Sequence, residues 1–306
     1  MARNYEFSFS KIDVYDTCPF KYLLQYVEKH FVNAKSLALE LGTLIHGIEE
    51  DIANYIKDGK PIDYIALKNK VLLGAIKLEH SYPKDFNEED KSGRSCKQKI
   101  YEYLQSEIYR LEKYMKEHPT YEIVGAEVNF TVPIHDRMFG GKIDRVIRDT
   151  ATGNYICHDI KTFAVPKEEE ELKTPLQFVV YVEAMKKLYG ILGEQVTCGY
   201  DLPFCDTVQE AGTNGYLNRG IKKLSNLIDK IDSKEYKPCP SALCNYCPYC
   251  MTNPDAPNDV KMLCPYFSVW NRETRRKEDI QIHENEWMGM DNHALVMESF
   301  LKKHSK

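Results

Sequence analysis

Two short segments carry the residues best suited to chemistry. The octet YICHDIKT sets Asp159 and Lys161 two positions apart. Alternate side chains of a strand face the same way, so both would project from one face. Asp144 lies in the preceding strand-like segment, GGKIDRV. Between them, TATGN is rich in turn formers. A hairpin there would set Asp144 beside Asp159 at one end of a sheet. Two converging carboxylates bind Mg²⁺ or Mn²⁺, hard cations that favour oxygen ligands. The Lys161 ammonium could orient a water or stabilise charge on a phosphate. Phosphodiester hydrolysis needs such parts: a metal-activated water and electrostatic relief of the charge that develops in the transition state. The plainer alternative is a surface ion pair between Asp144 and Lys161 across two strands.

Cysteine spacing is the second signal. Five of the ten cysteines fall between Cys239 and Cys264. The run LCNYCPYC spaces Cys244, Cys247 and Cys250 at three-residue intervals, and Cys264 follows in LCPYF. A C-x-x-C loop puts two thiolates on one metal with little strain, which suits tetrahedral zinc or a 4Fe–4S cluster. The alternatives are a redox pair or ordinary buried thiols. Cys96, Cys157, Cys198 and Cys205 read as small buried apolar residues.

The rest of the chain must position these groups. FSFSKIDVYDTCPFKYLLQYVEKH reads as two short helices joined near Cys18, because Pro19 interrupts the helical spacing of Ile12, Tyr15, Tyr22, Leu23 and Tyr26. Leu41, Ile45, Ile48, Ile52 and Ile56 mark a strong amphipathic helix, with His46 beside the apolar stripe. A lone histidine there is more often a satisfied core residue than a ligand. Residues 67–118 continue helical, with a second stripe at Ile100, Leu104, Ile108, Leu111 and Met115, ended by Pro119. At Tyr121 the period changes, and EIVGAEVNFTVPI, FGGKIDRVIRD and YICHDIKT predict a three-strand meander. A helix carrying Gln177 and Tyr181 follows, then a strand in GEQVTCGYDLPF, a helix over 219–235, the cysteine-rich loop and a helix at about 291–303. Gln177 and Tyr181 are four apart and share a helix face, from which they could contact a phosphate or steady Lys161. Glu127 is a weaker candidate that could tune the site or face water. RETRRK, residues 272–277, could hold single-stranded DNA beside Trp270, although a solvated basic loop is the plainer reading.

Composition sets bounds. The 306 residues, 43% of them hydrophobic, can bury a substantial core. The net charge of −5 argues against coating DNA by bulk electrostatics, yet a metal site needs carboxylates and a local basic channel can coexist with them. No stretch approaches the ~20 apolar residues of a membrane span, and MARNYEFSFSKID has no apolar signal region. The expectation is a cytoplasmic protein without a membrane partner.

GGKIDRV, a turn and YICHDIKT together resemble the core of the PD-(D/E)XK nuclease superfamily. Further motifs resemble its RecB-like branch: SFSKIDVYDTCPFKY, a serine-led helix running into a Cys-Pro pair; LGTLIHGIEE, a histidine motif; and QFVVY, a Q-x-x-x-Y motif. The resemblance covers most of residues 6–267. It is nearest to the iron–sulfur nucleases of that branch, namely AddB-type helicase-nucleases and CRISPR-associated or phage-encoded exonucleases.

The resemblance implies an α/β fold, a restriction-endonuclease-like mixed sheet flanked by helices, with a helical N-terminal insertion and a C-terminal cluster region. One domain would comprise a helical part (1–120), a nuclease core (121–236), a cysteine-rich segment (237–270) and a tail (271–306). It implies Asp144, Asp159, Lys161, Gln177 and Tyr181 as catalytic residues, with His46 joining Asp144 and Asp159 on the metal. It implies a 4Fe–4S cluster, with zinc as the alternative, held by Cys18, Cys244, Cys247 and a fourth cysteine. Cys250 and Cys264 compete for that place, and the LCPYF context favours Cys264. The implied activity is a metal-dependent DNA nuclease, an exonuclease on ends or single strands in recombination, repair or phage DNA processing. No helicase motif is present, so a motor or recombination protein would be a partner. Two other functions share parts of this sequence: a catalytically weak nuclease fold that binds DNA, and a zinc-stapled interaction protein.

Overall fold

The computed structural model describes residues 5–32, 35–90, 92–162, 166–172, 174–212, 215–250, 253, 256–261, 263, 264, 267–271 and 276–280. In chain order the elements are α1 (Phe9–Thr17), α2 (Pro19–Tyr22) with a π-helical turn over Leu23–Val27, α3 (Leu37–Lys57), α4 (Tyr64–Ser81), α5 (Pro83–Asn87), α6 (Cys96–Gln105) and α7 (Arg110–Glu117). Strands β1 (Tyr121–Ile134), β2 (Arg137–Asp149) and β3 (Tyr155–Ile160) follow, then α8 (Glu169–Leu172), α9 (Leu176–Tyr189), β4 (Val196–Leu202), β5 (Thr207–Gly212), α10 (Leu217–Asp232), β6 (Phe267–Asn271) and β7 (Arg276–Ile280). The chain divides into two compact units, one of Met1–Phe9 with Lys35–Ser225 and one of Ser10–Ala34 with Asn226–Lys306.

The first unit is a mixed five-stranded sheet in the order β1-β2-β3-β4-β5, flanked by helices. Neighbours run antiparallel except β3 and β4, which are parallel and joined through α9. A parallel pair requires such a crossover. The β1–β2 hairpin turns at His135 and Asp136, both left-handed at φ 50° and 57°, the geometry whose twist matches that of the strands. The β2–β3 turn is the expected TATGN. Asp149 Oδ1 accepts the Ala151 N–H at 3.1 Å, and Gly153 takes φ 76°, a conformation that suits glycine.

One face of the sheet is covered by α3, α4, α6 and α7. Leu41, Ile45, Ile48 and Ile52 of α3 meet Leu67 and Val71 of α4, Ile100 and Tyr103 of α6, and Ile123, Ile147 and Ile156 of the strands. The stripe read from the sequence is thus the buried face of α3, which starts at Ser36, whose side chain accepts the Leu39 N–H. On the other face Phe178 of α9 packs on Tyr200 of β4, with ring centroids 4.9 Å apart.

The region expected to run helical over 67–118 is broken into α4, α5, α6 and α7, with Ser95 and Gln98 forming a capping box that restarts α6. Strand β5, which the sequence reading lacked, borders β4.

In the second unit, Cys18 is extended (φ −158°, ψ 106°) before Pro19 and ends α1, because a residue preceding proline is pushed out of the helical region. Tyr22 stacks on Tyr236 at 6.2 Å, and Tyr15 donates its hydroxyl to the Glu235 carbonyl at 2.6 Å. Tyr249 donates to the His30 carbonyl. Strands β6 and β7 pair as a separate two-stranded sheet. The loop reading of RETRRK meets β7 at Arg276 and Lys277, whereas residues 272–275 and the helix expected at 291–303 lie outside the described residues. No helix among the described residues is long and apolar enough to cross a membrane.

Candidate active site

Adjacent strands bring the two aspartates together. Arg145 of β2 pairs with His158 of β3, so the next residues outward, Asp144 and Asp159, are neighbours. The Ile160 N–H donates to Asp144 Oδ2 at 2.7 Å. His46 reaches the same oxygen from α3, its Nδ1 at 3.6 Å. Ala126 pairs with Arg145 and Val128 with Ile143, which sets Glu127 across from Asp144. His46, Glu127 and Asp144 each offer one ligand atom, and all three atoms lie within 4.8 Å of one another. Glu127 adopts φ 50°, a backbone state that non-glycine residues rarely take and that tends to occur at functional sites. Its carboxylate also accepts from the Lys142 ammonium at 2.7 Å.

Asp159 is held differently. Its Oδ1 accepts from Gln177 Nε2 at 2.7 Å and from the Tyr181 hydroxyl at 2.9 Å, and Gln177 also donates to that hydroxyl at 2.9 Å. The Lys161 ammonium lies 2.6 Å from Asp159 Oδ2. Lys161 therefore pairs with Asp159 on its own strand rather than with Asp144 across the hairpin. Asp159 stands next to the His46–Glu127–Asp144 group without belonging to it. Gln177 and Tyr181, one turn apart on α9, act on the carboxylate. Burial, and next the charge of Asp159, push the Tyr181 hydroxyl well above its ordinary value, so it stays a donor.

This donor set fits a divalent cation. Carboxylate oxygens and one imidazole suit Mg²⁺ or, better, Mn²⁺. Burial, and then the neighbouring Asp159, push Asp144 up to about 6, so the pocket crowds negative charge that a cation would relieve. Glu127 was the ligand candidate hardest to read from sequence. The signal was the tight turn at His135–Asp136: counting back from it along both strands sets residue 127 opposite 144. Tyr181→Phe removes one of the two side-chain donors that fix Asp159 Oδ1. It should lower turnover about tenfold while barely moving the melting temperature, and steady-state kinetics beside a thermal melt will check this.

The cysteines converge as well. Cys18, Cys239, Cys244, Cys247, Cys250 and Cys264 line one small cavity of about 40 Å³ in the second unit. The Ser241 N–H donates to Cys244 Sγ at 3.3 Å. Burial pushes the Cys247 thiol up, opposed by a backbone hydrogen bond from Tyr249 and by Lys21, while Cys18 and Cys244 are near enough to add to the rise. Cys250 and Cys264, both thiols and not joined by a disulfide, are brought side by side by their backbones, which pair in parallel, with the Cys264 N–H donating to the Tyr249 carbonyl at 3.0 Å. A metal or cluster binds the thiolate form, so loading this site would displace the thiol protons.

The mixed sheet thus sets Asp144 beside the Asp159-x-Lys161 pair, with a candidate metal-binding group next to them. Residues 6–252 match the PD-(D/E)XK nuclease superfamily, and the chain belongs to that superfamily. Its nucleases use divalent metals. Among solved structures, the chain is similar to a protein from Eubacterium rectale that carries the provisional name exonuclease. The two share 15% identity over 78% of this chain and 86% of that one, with a TM-score of 0.46. It is also similar to SSO0001, at 18% identity over 60% of this chain and 82% of that one, with a TM-score of 0.30. No curated protein matches the chain in sequence.

Proposed function

We propose that this protein is a metal-dependent DNA exonuclease acting on ends or single strands. The observation that carries the reading is the pairing of two differently held carboxylates. Asp144 lies within metal-binding distance of His46 and Glu127, and Asp159 is pinned by Gln177, Tyr181 and Lys161. A divalent cation bound there supplies Lewis acidity toward the phosphate and a more acidic water. The chain's own residues do the rest. Asp144, with His46 and Glu127, would hold the cation, and Asp159 would complete its surroundings. Gln177 and Tyr181 keep Asp159 in one orientation. Lys161 brings a positive charge to the place where a phosphate oxygen gains negative charge. Incubation with end-labelled DNA and Mn²⁺ should give progressive shortening that EDTA stops. Intact DNA after prolonged incubation with Mn²⁺ would reject the proposal. Labels on the 5′ and 3′ ends in separate reactions give the polarity.

The RecB-like, iron–sulfur reading is supported by the cysteine-lined cavity. In it Cys18, Cys244, Cys247 and Cys264 hold a 4Fe–4S cluster, with zinc as the alternative occupant and Cys250 dispensable. Protein purified without oxygen should be brown and contain about four irons per chain. Cys18→Ser, Cys244→Ser, Cys247→Ser or Cys264→Ser should each lose the colour and lower the melting temperature, whereas Cys250→Ser should keep both. Loss of iron from Cys250→Ser with retention in Cys264→Ser would reverse the assignment, and stoichiometric zinc without iron would reject the cluster. The setting that fits these features is cytoplasmic recombination, repair or phage DNA processing, with a separate helicase or recombination protein as partner.

A further inference from the structure

Behind the metal-binding group lies a set of charges that the reaction does not use. Glu49 of α3, Arg110 of α7, Arg145 of β2 and Asp201 of β4 are each 5% exposed or less. Arg145 pairs with Asp201 through Nη1 and with Glu49 Oε2 through Nη2 at 3.1 Å. Arg110 pairs with Asp201 and lies 3.5 Å from Glu49 Oε2. Tyr103 of α6 donates to Glu49 Oε1 at 2.9 Å. Burial alone would raise Asp201, but the two guanidinium groups outweigh it and hold the carboxyl down at about 2. The quartet sets two guanidinium groups against two carboxyl groups, so its formal charges sum to zero.

Three of the four adjoin a residue of the candidate site, and Arg110 braces Glu49 and Asp201 from α7. Glu49 is one helical turn from His46 on α3. Arg145 follows Asp144 and points to the opposite face of β2. Asp201 pairs across from Ile160, and its carbonyl accepts the Lys161 N–H at 2.9 Å. An apolar contact would hold α3 on the sheet at least as strongly, since replacing buried ion pairs by packed apolar groups is often neutral or stabilising. It would tolerate sliding and rotation of the helix, however. Planar guanidinium forks facing carboxylates do not.

We infer that the buried Glu49–Arg110–Arg145–Asp201 quartet is a positioning device that sets α3, and with it His46, at the distance from Asp144 that metal binding needs. This rests on the metal-site reading above. Its four members are positioning residues that touch neither metal nor substrate.

The test is Mn²⁺ affinity by calorimetry and by electron paramagnetic resonance, which need no turnover. Glu49→Gln leaves an arginine under-compensated and should lower the melting temperature by about 10 °C. Glu49→Gln with Arg110→Gln restores neutrality and should recover most of that loss, yet bind Mn²⁺ at least about tenfold more weakly than wild type. Adding His46→Ala to the double variant should cost little more, because His46 is already displaced. Glu49→Asp keeps the charge and withdraws the carboxylate by one methylene, so it tests the same point should the double variant not fold. Asp90→Asn, which breaks the distant Lys99–Asp90 pair, serves as the control that loses stability but keeps Mn²⁺ affinity. Wild-type Mn²⁺ affinity in the balanced double variant or in Glu49→Asp would overturn the inference, as would a full additional loss from His46→Ala. Wild-type protein that binds no Mn²⁺, or His46→Ala that binds it undiminished, would overturn the metal-site reading and this inference with it.

Discussion

Asp144→Ala should reduce DNA cleavage in Mn²⁺ by on the order of a thousandfold or more, because it removes the carboxylate on which the candidate metal group converges. The same change should abolish Mn²⁺ binding in a direct titration. Cleavage at the wild-type rate would remove Asp144 from the active site. Asp144→Asn carries a second, opposite signature in metal-free protein. Burial and the charge of Asp159 push this carboxyl from its usual 3.8 up to about 6. A carboxyl that keeps its proton more tightly in the folded state contributes stability below pH 3.8 and loses that contribution as pH rises through 6. At pH 7.5 the ionised group should therefore cost about 3 kcal/mol. Asp144→Asn treated with EDTA should melt roughly 5–10 °C higher than wild type at pH 7.5. The gain should shrink toward pH 5. A variant that melts lower at pH 7.5 would contradict this account of the pocket.

Lys161→Ala should lower turnover by roughly a hundredfold to a thousandfold, with DNA affinity changed by less than about threefold. Its ammonium sits 2.6 Å from Asp159 and is about a third exposed, so it can turn toward a phosphate when charge develops there. An interaction that strengthens only in the transition state affects turnover and leaves ground-state binding alone. DNA binding measured in Ca²⁺, beside cleavage measured in Mn²⁺, separates the two. Equal losses in both would make Lys161 a binding residue.

The local geometry of β2, β3 and their turn was legible because it depends on rules of short range. Alternation along YICHDIKT assigns faces, and TATGN supplies a turn whose glycine takes φ 76°. The stripe on α3 was legible for the same reason, since 3.6-residue periodicity reports which side is buried. Likeness to other sequences singled out Gln177 and Tyr181, with a phosphate or Lys161 as the expected contact; that they hold Asp159 instead depends on which strand α9 faces, and their spacing does not say. Glu127 was underweighted because its φ of 50° is a tertiary outcome. The quartet was invisible for a related reason: Glu49, Arg110, Arg145 and Asp201 come from four elements, and each alone reads as a surface charge. The breaks between α4 and α7 were missed because capping at Ser95 competes with a pattern that otherwise continues.

The chain's second unit is made of two pieces, Ser10–Ala34 and Asn226 onward, with Lys35–Ser225 of the first unit spliced between them. This has a consequence for the order of events on the ribosome. The sheet and its helices can be complete once Ser225 has left the exit tunnel. Tyr15 and Tyr22 must by then have waited through the synthesis of roughly 200 residues before Glu235 and Tyr236 arrive to receive them. At about 5–20 residues per second that is some 10–40 seconds in which a tyrosine-rich helical segment stands without its partner. Slowing translation within residues 35–225 should therefore lengthen the exposure of α1 and α2 to proteases and holdase chaperones. The same slowing placed after Tyr249 should not, because both halves of the second unit's aromatic core would already be in hand.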